Sequence, residues 1–373
     1  MSQRQRNYSL DLIVCAVILS LFGIIFIFTA SSIPAAQRFN DLFFFPKRQL
    51  ANFIIGLFTS LIILKIPLRV LSKVTIPIYI GTSLLLLGTL LPGLGHHVNG
   101  ASRWIRIASI TFQPAEIAKI ALIIFIAKNL SRTSFKGLHS FSGLSSCLLP
   151  LFIFASLLML QPDFGSTFLL FCIAFTMMFV SGLPLKFVFS AALLGLGGIG
   201  AAIWQAPYRM ARITSFLDPW ESAQTGGFQI IQSYLGFYNG GLFGLGLGSS
   251  RQKLYFLPEA HTDFILSVIG EELGFVGVSF VICLFTYMVY LGFKITQKQT
   301  QNFNKLLAFG LTSLIAIQSS LNMGVAMGLL PTKGMTLPFI SHGSSSLMVF
   351  LWVVAILARL NVESDKTYEQ QRH

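Results

Sequence analysis

The sequence predicts an all-α protein that crosses a membrane about ten times, and its composition and charge pattern support this. Hydrophobic residues make up 54% of the 373 residues and charged residues only 10%. With a mean hydropathy of +0.74, the apolar side chains exceed what one soluble core can bury. The 26 Lys and Arg residues are spread in ones to threes between apolar runs, which is typical of membrane loops rather than of a nucleic-acid-binding surface.

Ten apolar segments are long enough, or nearly so, to cross a hydrocarbon core of about 30 Å. The fourth is short, and it carries Glu116 and Lys119 near its start. The predicted spans are residues 10–33, 49–64, 74–91, 114–127, 144–160, 164–181, 185–204, 264–292, 305–330 and 344–360. The first of these has no A-x-A-like cleavage signal, which predicts a retained helix rather than a signal peptide.

The distribution of basic residues predicts how the chain is oriented. With the N-terminus inside, 15 of the 26 Lys and Arg residues fall in cytoplasmic segments, 10 in outer segments and one within a helix. This bias favours two cytoplasmic termini. The chain is therefore expected to form one integral membrane domain, 1–373, with a long extracytoplasmic loop at about 205–263 and short polar tails at 1–9 and 361–373.

Acidic side chains cluster around the start of the eighth span, in the segment LYFLPEAHTDFILSVIGEELGFVG, residues 254–277. Its chemistry-bearing residues are Glu259, His261, Asp263, Glu271 and Glu272. Acidic residues at membrane depth are costly and usually functional. Asp263 also precedes an apolar run directly, so helix capping is the alternative interpretation of its position.

Two further polar positions at helix starts have both a structural and a functional interpretation. Lys119 lies one turn after Glu116 and is placed to pair with it. Asp163 precedes the sixth span, where it is expected either to cap the helix or to present a carboxylate at the outer membrane face. The residue pattern leaves these alternatives open.

Small and hydroxyl-bearing residues define a third cluster, residues 333–346, which read KGMTLPFISHGSSS. Their composition suits a re-entrant or cavity-lining turn, with close packing of small residues as the alternative. Gly270 and Gly274 form a G-x-x-x-G pattern that predicts close approach of another segment. The four cysteines are scattered through predicted helices, and the adjacent His96 and His97 are assigned to the outer loop surface, so no metal site is predicted.

Six segments together resemble the SEDS family, the shape-elongation-division-sporulation proteins, and the division-type members more than the elongation-type members. They are VNGASRWIRIASITFQPAEIAK (98–119), LQPDFGS (160–166), YRMARITSFLDPW (208–220), GGFQIIQS (226–233), QKLYFLPEAHTDFILSVIGEELGFVG (252–277) and GLLPTKGMTLPFISHGSSSL (328–347). The chain departs from the family pattern at three positions. His342 and Ser344 replace the tyrosine and second glycine of S-Y-G-G-S, and Tyr255 stands where division-type relatives often have an acidic residue.

The resemblance implies a peptidoglycan glycosyltransferase. Such an enzyme joins the 4-hydroxyl of a lipid-linked disaccharide, lipid II, to the anomeric carbon of a strand held on undecaprenyl pyrophosphate. It implies Asp263 as the general base. The side chains expected to bind substrate are Arg103, Trp104, Lys119, Asp163, Arg209, Arg212, Arg251, Lys253, Glu259, His261, Lys333, Ser341 and Ser345. Four of these, Arg209, Arg212, Arg251 and Lys253, are cations of the long loop that suit a departing pyrophosphate.

The resemblance also implies partners and a location. The expected partners are lipid II, the growing lipid-linked glycan, a class B penicillin-binding protein that cross-links strands, and other division-complex proteins. The expected location is the bacterial inner membrane at the division site. A divalent cation at the pyrophosphate is compatible with this chemistry, but the sequence assigns no ligand to it.

Two other classes of function remain open from the residues alone. Ten helices with interior acids also suit a flippase that translocates lipid-linked precursor by alternating access. However, no inverted repeat is evident, and the candidate acids concentrate on one side. A non-catalytic scaffold of the division complex is the third possibility.

Overall fold

A computed structural model of the chain describes residues 7–98, 101–107, 110–132, 141–184, 187, 190, 197, 210, 214–224, 226–250, 260–332 and 334–370. Within them lie eleven helices and one three-stranded sheet. The helices are α1 Tyr8–Phe39, α2 Phe44–Lys65, α3 Leu68–Lys73, α4 Thr75–Gly88, α5 Pro114–Arg132, α6 Phe141–Leu160, α7 Phe164–Val180, α8 Phe228–Gly240, α9 Ile265–Lys298, α10 Asn302–Ala326 and α11 Ser344–Gln370. The strands are β1 Gly95–Val98, β2 Ala101–Ile107 and β3 Ile110–Phe112.

The predicted all-α polytopic architecture is confirmed. Nine of the ten predicted spans coincide with helices, namely α1, α2, α4, α5, α6, α7, α9, α10 and α11. Among the described residues, α1, α2, α6, α9, α10 and α11 are long and apolar enough to cross a membrane, and α4 and α7 are shorter apolar helices. The seventh predicted span, 185–204, falls mainly outside the described residues.

Several helices extend beyond the predicted apolar spans, because charged residues continue them. Helix α2 begins at Phe44, so Lys47 and Arg48 lie in its first turns rather than in a loop. Helix α5 continues to Arg132. The polar tail predicted at 361–373 is helical as far as Gln370, and the Lys298 ammonium lies 3.0 Å from a carboxylate oxygen of Asp365.

The helices form a bundle with apolar side chains both inside and outside. Helix α11 packs against α1, α2 and α5, α9 packs against α1, α8 and α10, and α5 also packs against α4, α7 and α10. On α2, the large apolar side chains Leu50, Ile54, Phe58 and Leu61 are exposed. Their spacing of three and four residues places them on one face, which is the surface expected to contact lipid.

A small antiparallel sheet covers the end of the bundle at which α5, α7, α9 and α11 begin, and we call this end the site end. Its strand order is β1-β2-β3, with Ile105 opposite Phe112 across β2 and β3. The sequence analysis predicts a plain loop here. The strands are only three to seven residues long, too short to give a clear alternating pattern.

Helix α9 is broken at Gly274, whose φ of 64° and ψ of −159° are not helical. A β-carbon there would lie 2.5 Å from the Gly244 nitrogen, so glycine is required both for the positive φ and for the close approach. The Leu245 nitrogen donates to the Glu271 oxygen at 2.9 Å, and the Phe275 nitrogen donates to the Gly241 oxygen at 2.9 Å. The loop after α8 therefore satisfies backbone groups that the break releases.

The two glutamates beside this break are confirmed as interior residues. Glu271 and Glu272 are both 0% exposed, and the Ser250 hydroxyl donates to a carboxylate oxygen of Glu271. The close approach predicted from the G-x-x-x-G pattern is also present, because a β-carbon on Gly240 of α8 would lie 1.9 Å from the Gly270 oxygen. Part of the predicted loop 205–263 thus folds into the bundle.

Candidate active site

Asp263 lies at the site end, in the turn of residues 260–264 that leads into α9, and the residue is partly exposed. Its backbone oxygen accepts a hydrogen bond from Asn322 Nδ2 at 3.1 Å. A β-carbon on Gly334 would lie 3.3 Å from Asp263 Oδ2, so the missing side chain leaves room for the carboxylate. The N-cap position of α9 is occupied by Phe264, which weakens the capping interpretation of Asp263.

Two buried side-chain amides of α10 donate hydrogen bonds to the 334–343 segment, the residues that precede α11. Asn322 Nδ2 donates to the Met335 oxygen at 2.6 Å as well as to Asp263. Gln318 Nε2 donates to the Thr336 oxygen at 3.1 Å. Gln318 and Asn322 lie four residues apart, on one face of α10. This face therefore joins the Asp263 turn to the 334–343 segment.

Lys119 is buried in the same network, with 2% of its surface exposed. Its ammonium lies 2.7 Å from Glu116 Oε1 and 2.8 Å from Gln318 Oε1. The predicted pairing with Glu116 is confirmed. Because an isolated charge at this depth is strongly disfavoured, the pair and the amide together keep the ammonium in place and connect α5 to α10.

Ser341 connects the 334–343 segment to the turn of residues 260–264 that contains Asp263. Its hydroxyl donates to the Thr262 oxygen at 2.5 Å and accepts from the Leu337 nitrogen at 2.9 Å. Its backbone oxygen accepts from Gln49 Nε2 of α2 at 3.2 Å. The predicted site residue is thus brought next to Asp263, and its hydroxyl is engaged in shaping the backbone.

His261 and His342 pack together beside this contact, with ring centroids 5.8 Å apart. The Phe45 ring lies 4.6 Å from His261 and 5.1 Å from His342, and the His342 nitrogen donates to the His261 oxygen at 2.9 Å. Burial lowers the pKa of His342 to about 3, and the neighbouring His261 and Arg48 add to the effect. The imidazole is therefore neutral at pH 7 and fills an aromatic contact where the family usually has tyrosine.

Ser345 connects the start of α11 to the sheet and to α5. Its hydroxyl accepts from the Gln113 nitrogen at 2.9 Å, and the neighbouring Ser344 hydroxyl donates to the Thr111 oxygen at 3.1 Å. Both contacts use backbone groups just before α5. Ser345 therefore joins the elements that carry Lys119 and the 334–343 segment.

Arg103 and Asp163 form a second cluster at the site end. The Arg103 guanidinium donates to the Gln161 oxygen at 3.4 Å and to the Pro162 oxygen. Asp163 is the N-cap of α7, with Oδ1 accepting from the Ser166 nitrogen at 3.1 Å and Oδ2 from its hydroxyl at 2.8 Å. The capping interpretation of Asp163 is confirmed. Arg103 stabilises the turn that precedes it through hydrogen bonds to two backbone oxygens.

Trp104 follows Arg103 on β2, at the point where the register between β1 and β2 shifts. It is partly exposed, and its backbone lies opposite His96 on β1.

Six predicted site residues lie outside the described residues. They are Arg209, Arg212, Arg251, Lys253, Glu259 and Lys333. Their binding roles stay predictions.

The sequence analysis did not identify Gln318 and Asn322. They are the amides that tie Lys119 and Asp263 to the 334–343 segment, and both are 1% exposed. A signal was available, because two amides four residues apart within an apolar span indicate a polar face directed into the protein. Gln49, which contacts Ser341, was also missed, because nothing in the local sequence pairs the start of the second span with a residue 292 positions later.

The arrangement combines a partly exposed carboxylate on a fixed turn with a buried ammonium and a neutral imidazole. A carboxylate held in this way can accept a proton from a hydroxyl group brought within hydrogen-bonding distance. Within the part of the chain that the structure describes, no three His, Cys, Asp or Glu side chains are grouped to hold a metal ion.

The chain is similar over nearly its whole length to curated bacterial proteins. It is 41% identical over 362 residues to the "Probable peptidoglycan glycosyltransferase FtsW" of Geobacter sp. (strain M18), covering 97% of this chain and 98% of the relative. It is 38% identical to the protein of the same name from Saccharophagus degradans (strain 2-40), covering 98% of this chain and 95% of the relative.

Solved structures show the same fold. A chain from a structure described as "Structural coordination of polymerization and crosslinking by a peptidoglycan synthase complex" superposes with a TM-score of 0.79 at 25% identity, covering 95% of this chain and 97% of that one. The rod shape determining protein RodA of Thermus thermophilus gives 0.70 at 25% identity, covering 94% and 96%. The family model that describes a cell cycle protein, for FtsW, RodA and SpoVE, matches residues 9–366. This chain belongs to the FtsW, RodA and SpoVE family of cell cycle proteins.

Proposed function

We propose that the chain is a peptidoglycan glycosyltransferase that polymerises lipid II into glycan strands during cell division, with Asp263 as the general base. The observation that carries the proposal is the setting of Asp263. The residue is partly exposed at the site end, and its backbone is held by Asn322. Family membership and relatives named as glycosyltransferases support the same activity.

The reaction needs one proton acceptor and one stabilised leaving group. Asp263 takes the proton of the 4-hydroxyl of lipid II as that oxygen attacks the anomeric carbon of the growing strand. A new glycosidic carbon–oxygen bond forms, and the bond from that carbon to the pyrophosphate oxygen breaks. The electron pair leaves with undecaprenyl pyrophosphate. A positioned base contributes about 10²–10⁴ to the rate of such a step.

The remaining predicted site residues divide into three proposed roles. The long-loop cations Arg209, Arg212, Arg251 and Lys253 are proposed to neutralise the departing pyrophosphate, together with Lys333. Glu259, His261 and Trp104 are proposed to contact the sugars. The buried or engaged side chains Lys119, Arg103, Asp163, Ser341 and Ser345 are proposed to shape the cavity that receives them.

A lipid-linked precursor flippase is the second candidate function, and one observation favours it. Helix α9 is discontinuous at Gly274, beside the buried Glu271 and Glu272. Discontinuous helices with interior acids are typical of alternating-access transporters. The contacts of residues 241–246 with both halves of the helix instead favour a fixed structural break.

The first prediction tests this function directly. Purified protein reconstituted with labelled lipid II and its class B penicillin-binding protein is expected to form long glycan, measured by gel electrophoresis of the labelled product. The partner is expected to raise the activity, because a structural neighbour at 25% identity comes from a peptidoglycan synthase complex that coordinates polymerization and crosslinking.

Three outcomes of that assay separate the candidates. Polymer formation that rises when the partner is added supports the proposal, and the matched control is the chain without the partner. Translocation of lipid II across vesicles without polymer identifies a flippase, and neither activity identifies a scaffold. Full activity that does not respond to the partner contradicts the proposed coupling.

The second prediction concerns which side of the membrane carries the site. Gln224 is exposed in the segment of residues 214–224, and Thr300 is exposed in the turn between α9 and α10. In a background without the four native cysteines, we expect Gln224→Cys to react with a membrane-impermeant thiol reagent in intact spheroplasts. Lipid II is polymerised outside the cytoplasm, so the site end must face outward.

Thr300→Cys is the matched control, because it places one thiol at the opposite end of the bundle. It is expected to react only after lysis. The reverse pattern, with Thr300→Cys labelled in intact spheroplasts and Gln224→Cys protected, would invert the proposed topology.

A further inference from the structure

An apolar groove lies away from the site end, between α2, α3, α4, α5 and α11. Its volume is about 200 Å³. The residues that line it include Ile63, Ile66, Leu71, Ile120, Trp352 and Arg359. Apart from that guanidinium the lining is almost wholly hydrocarbon, which suits an acyl chain and not a sugar.

The groove is open to the surface that contacts lipid. Ile66 on its wall is 38% exposed, and the adjacent Ile62 and Val70 are 51% and 43% exposed. A lipid chain can therefore enter from the side without passing through the site end. No part of the network around Asp263 lines this groove.

Arg359 places a positive charge beside the apolar lining of the groove. Its side chain is 24% exposed, and one terminal nitrogen lies 3.7 Å from a Glu363 oxygen, beyond ordinary hydrogen-bond distance. A guanidinium presents N–H groups in a planar fork that matches phosphate oxygens. A partly exposed guanidinium beside an apolar groove is therefore complementary to a phosphate that carries an acyl chain.

Further cations lie on the elements that form the groove. Lys65 ends α2, and Arg69 and Lys73 belong to α3, and all three are exposed. Basic pockets between membrane helices attract anionic lipid headgroups. The excess of positive charge at this end favours an anionic over a zwitterionic lipid.

We propose that this groove binds one anionic phospholipid, with an acyl chain along Ile63, Ile120 and Trp352 and the phosphate on Arg359. The alternative is that Arg359 only extends toward the headgroup region to keep its charge hydrated. In that case it confers no preference for a lipid class, and the groove holds any acyl chain equally.

Trp352 provides the readout, since it lines the groove and is one of four tryptophans. The other three are replaced by phenylalanine, and the full chain is placed in nanodiscs that mix phosphatidylglycerol and phosphatidylcholine. Bromine on the acyl chains of one lipid at a time quenches Trp352 when that lipid occupies the groove. We expect phosphatidylglycerol to be preferred about tenfold, as one charge-assisted phosphate contact implies.

Matched variants separate the headgroup from the groove. Arg359→Gln is expected to remove the preference for phosphatidylglycerol. Arg359→Lys is expected to keep part of that preference, because lysine retains the positive charge but loses the planar fork of N–H groups. Lys305→Gln removes an exposed cation elsewhere at this end of the bundle and is expected to change nothing. Ile63→Phe fills the groove and should reduce quenching by both lipids, whereas Ile62→Phe, which faces outward, should not.

Two results would overturn the proposal. Equal quenching by the two brominated lipids in the otherwise unchanged protein means that the groove does not select an anionic headgroup. Displacement of brominated phosphatidylglycerol by an equimolar amount of lipid II would assign the groove to the substrate's own lipid tail. Neither readout requires polymerisation, so failure here is distinguishable from failure of the proposed activity.

Discussion

Asp263→Asn is expected to reduce glycan polymerisation by about a hundredfold or more while leaving a folded, membrane-inserted protein. The amide has no lone pair basic enough to take the proton of the acceptor hydroxyl. The fold should be unaffected, because Asn322 contacts the backbone oxygen of residue 263 and Phe264 holds the N-cap position of α9. The measurement is the initial rate of lipid II polymerisation with the partner transpeptidase present, alongside size-exclusion chromatography of the variant.

Asp163→Asn is the matched control, since it makes the same chemical change in a neighbouring carboxylate. Asp163 caps α7 through the Ser166 nitrogen and hydroxyl. Asparagine is about as good an N-cap as aspartate, so we expect a change in the free energy of unfolding of only a few tenths of a kcal/mol and a milder loss of activity. Near-normal polymer from Asp263→Asn would place the base elsewhere, with Glu259 as the next candidate.

Features that depend on local sequence could be predicted in this chain. The spans follow from apolar length, and the pair of Lys119 with Glu116 follows from their spacing of three residues. The burial of Glu271 and Glu272 follows from their position inside an apolar run. In each case the determining partners lie within one or two helical turns, so the pattern carries the information.

Features that depend on distant contacts could not be predicted. The break at Gly274 requires backbone partners from residues 241–246, about thirty residues earlier in the chain. The contact of Ser341 with Thr262 crosses 79 positions, and that of Gln49 with Ser341 crosses 292. Nothing in the local spacing of these residues specifies such pairs. The family resemblance placed Asp263 and Ser341 in one site, and the structure supplies the amides that connect them.

Lys119→Met is expected to destabilise the protein by about 3–5 kcal/mol, because it leaves the buried Glu116 carboxylate without its cation. The Lys119 and Glu116 side chains are only 3% and 7% exposed, so water cannot replace the lost contact. Gln318 also loses the donor to its Oε1 atom, which loosens the connection to the 334–343 segment. The measurement is the free energy of unfolding from a denaturant titration in mixed micelles.

The double variant Glu116→Gln with Lys119→Met separates the structural from the functional role of the ammonium. Removing both charges eliminates the uncompensated carboxylate, so most of the lost stability should return, and the coupling between the two sites should be favourable by several kcal/mol. If Lys119 also orders the cavity for its anionic substrate, the stable double variant still polymerises lipid II poorly. Normal polymerisation by that double variant would limit Lys119 to a role in folding. If Lys119→Met alone were as stable as the parent, the expected cost of an unpaired interior charge would be absent. The pair would then contribute nothing to the buried network.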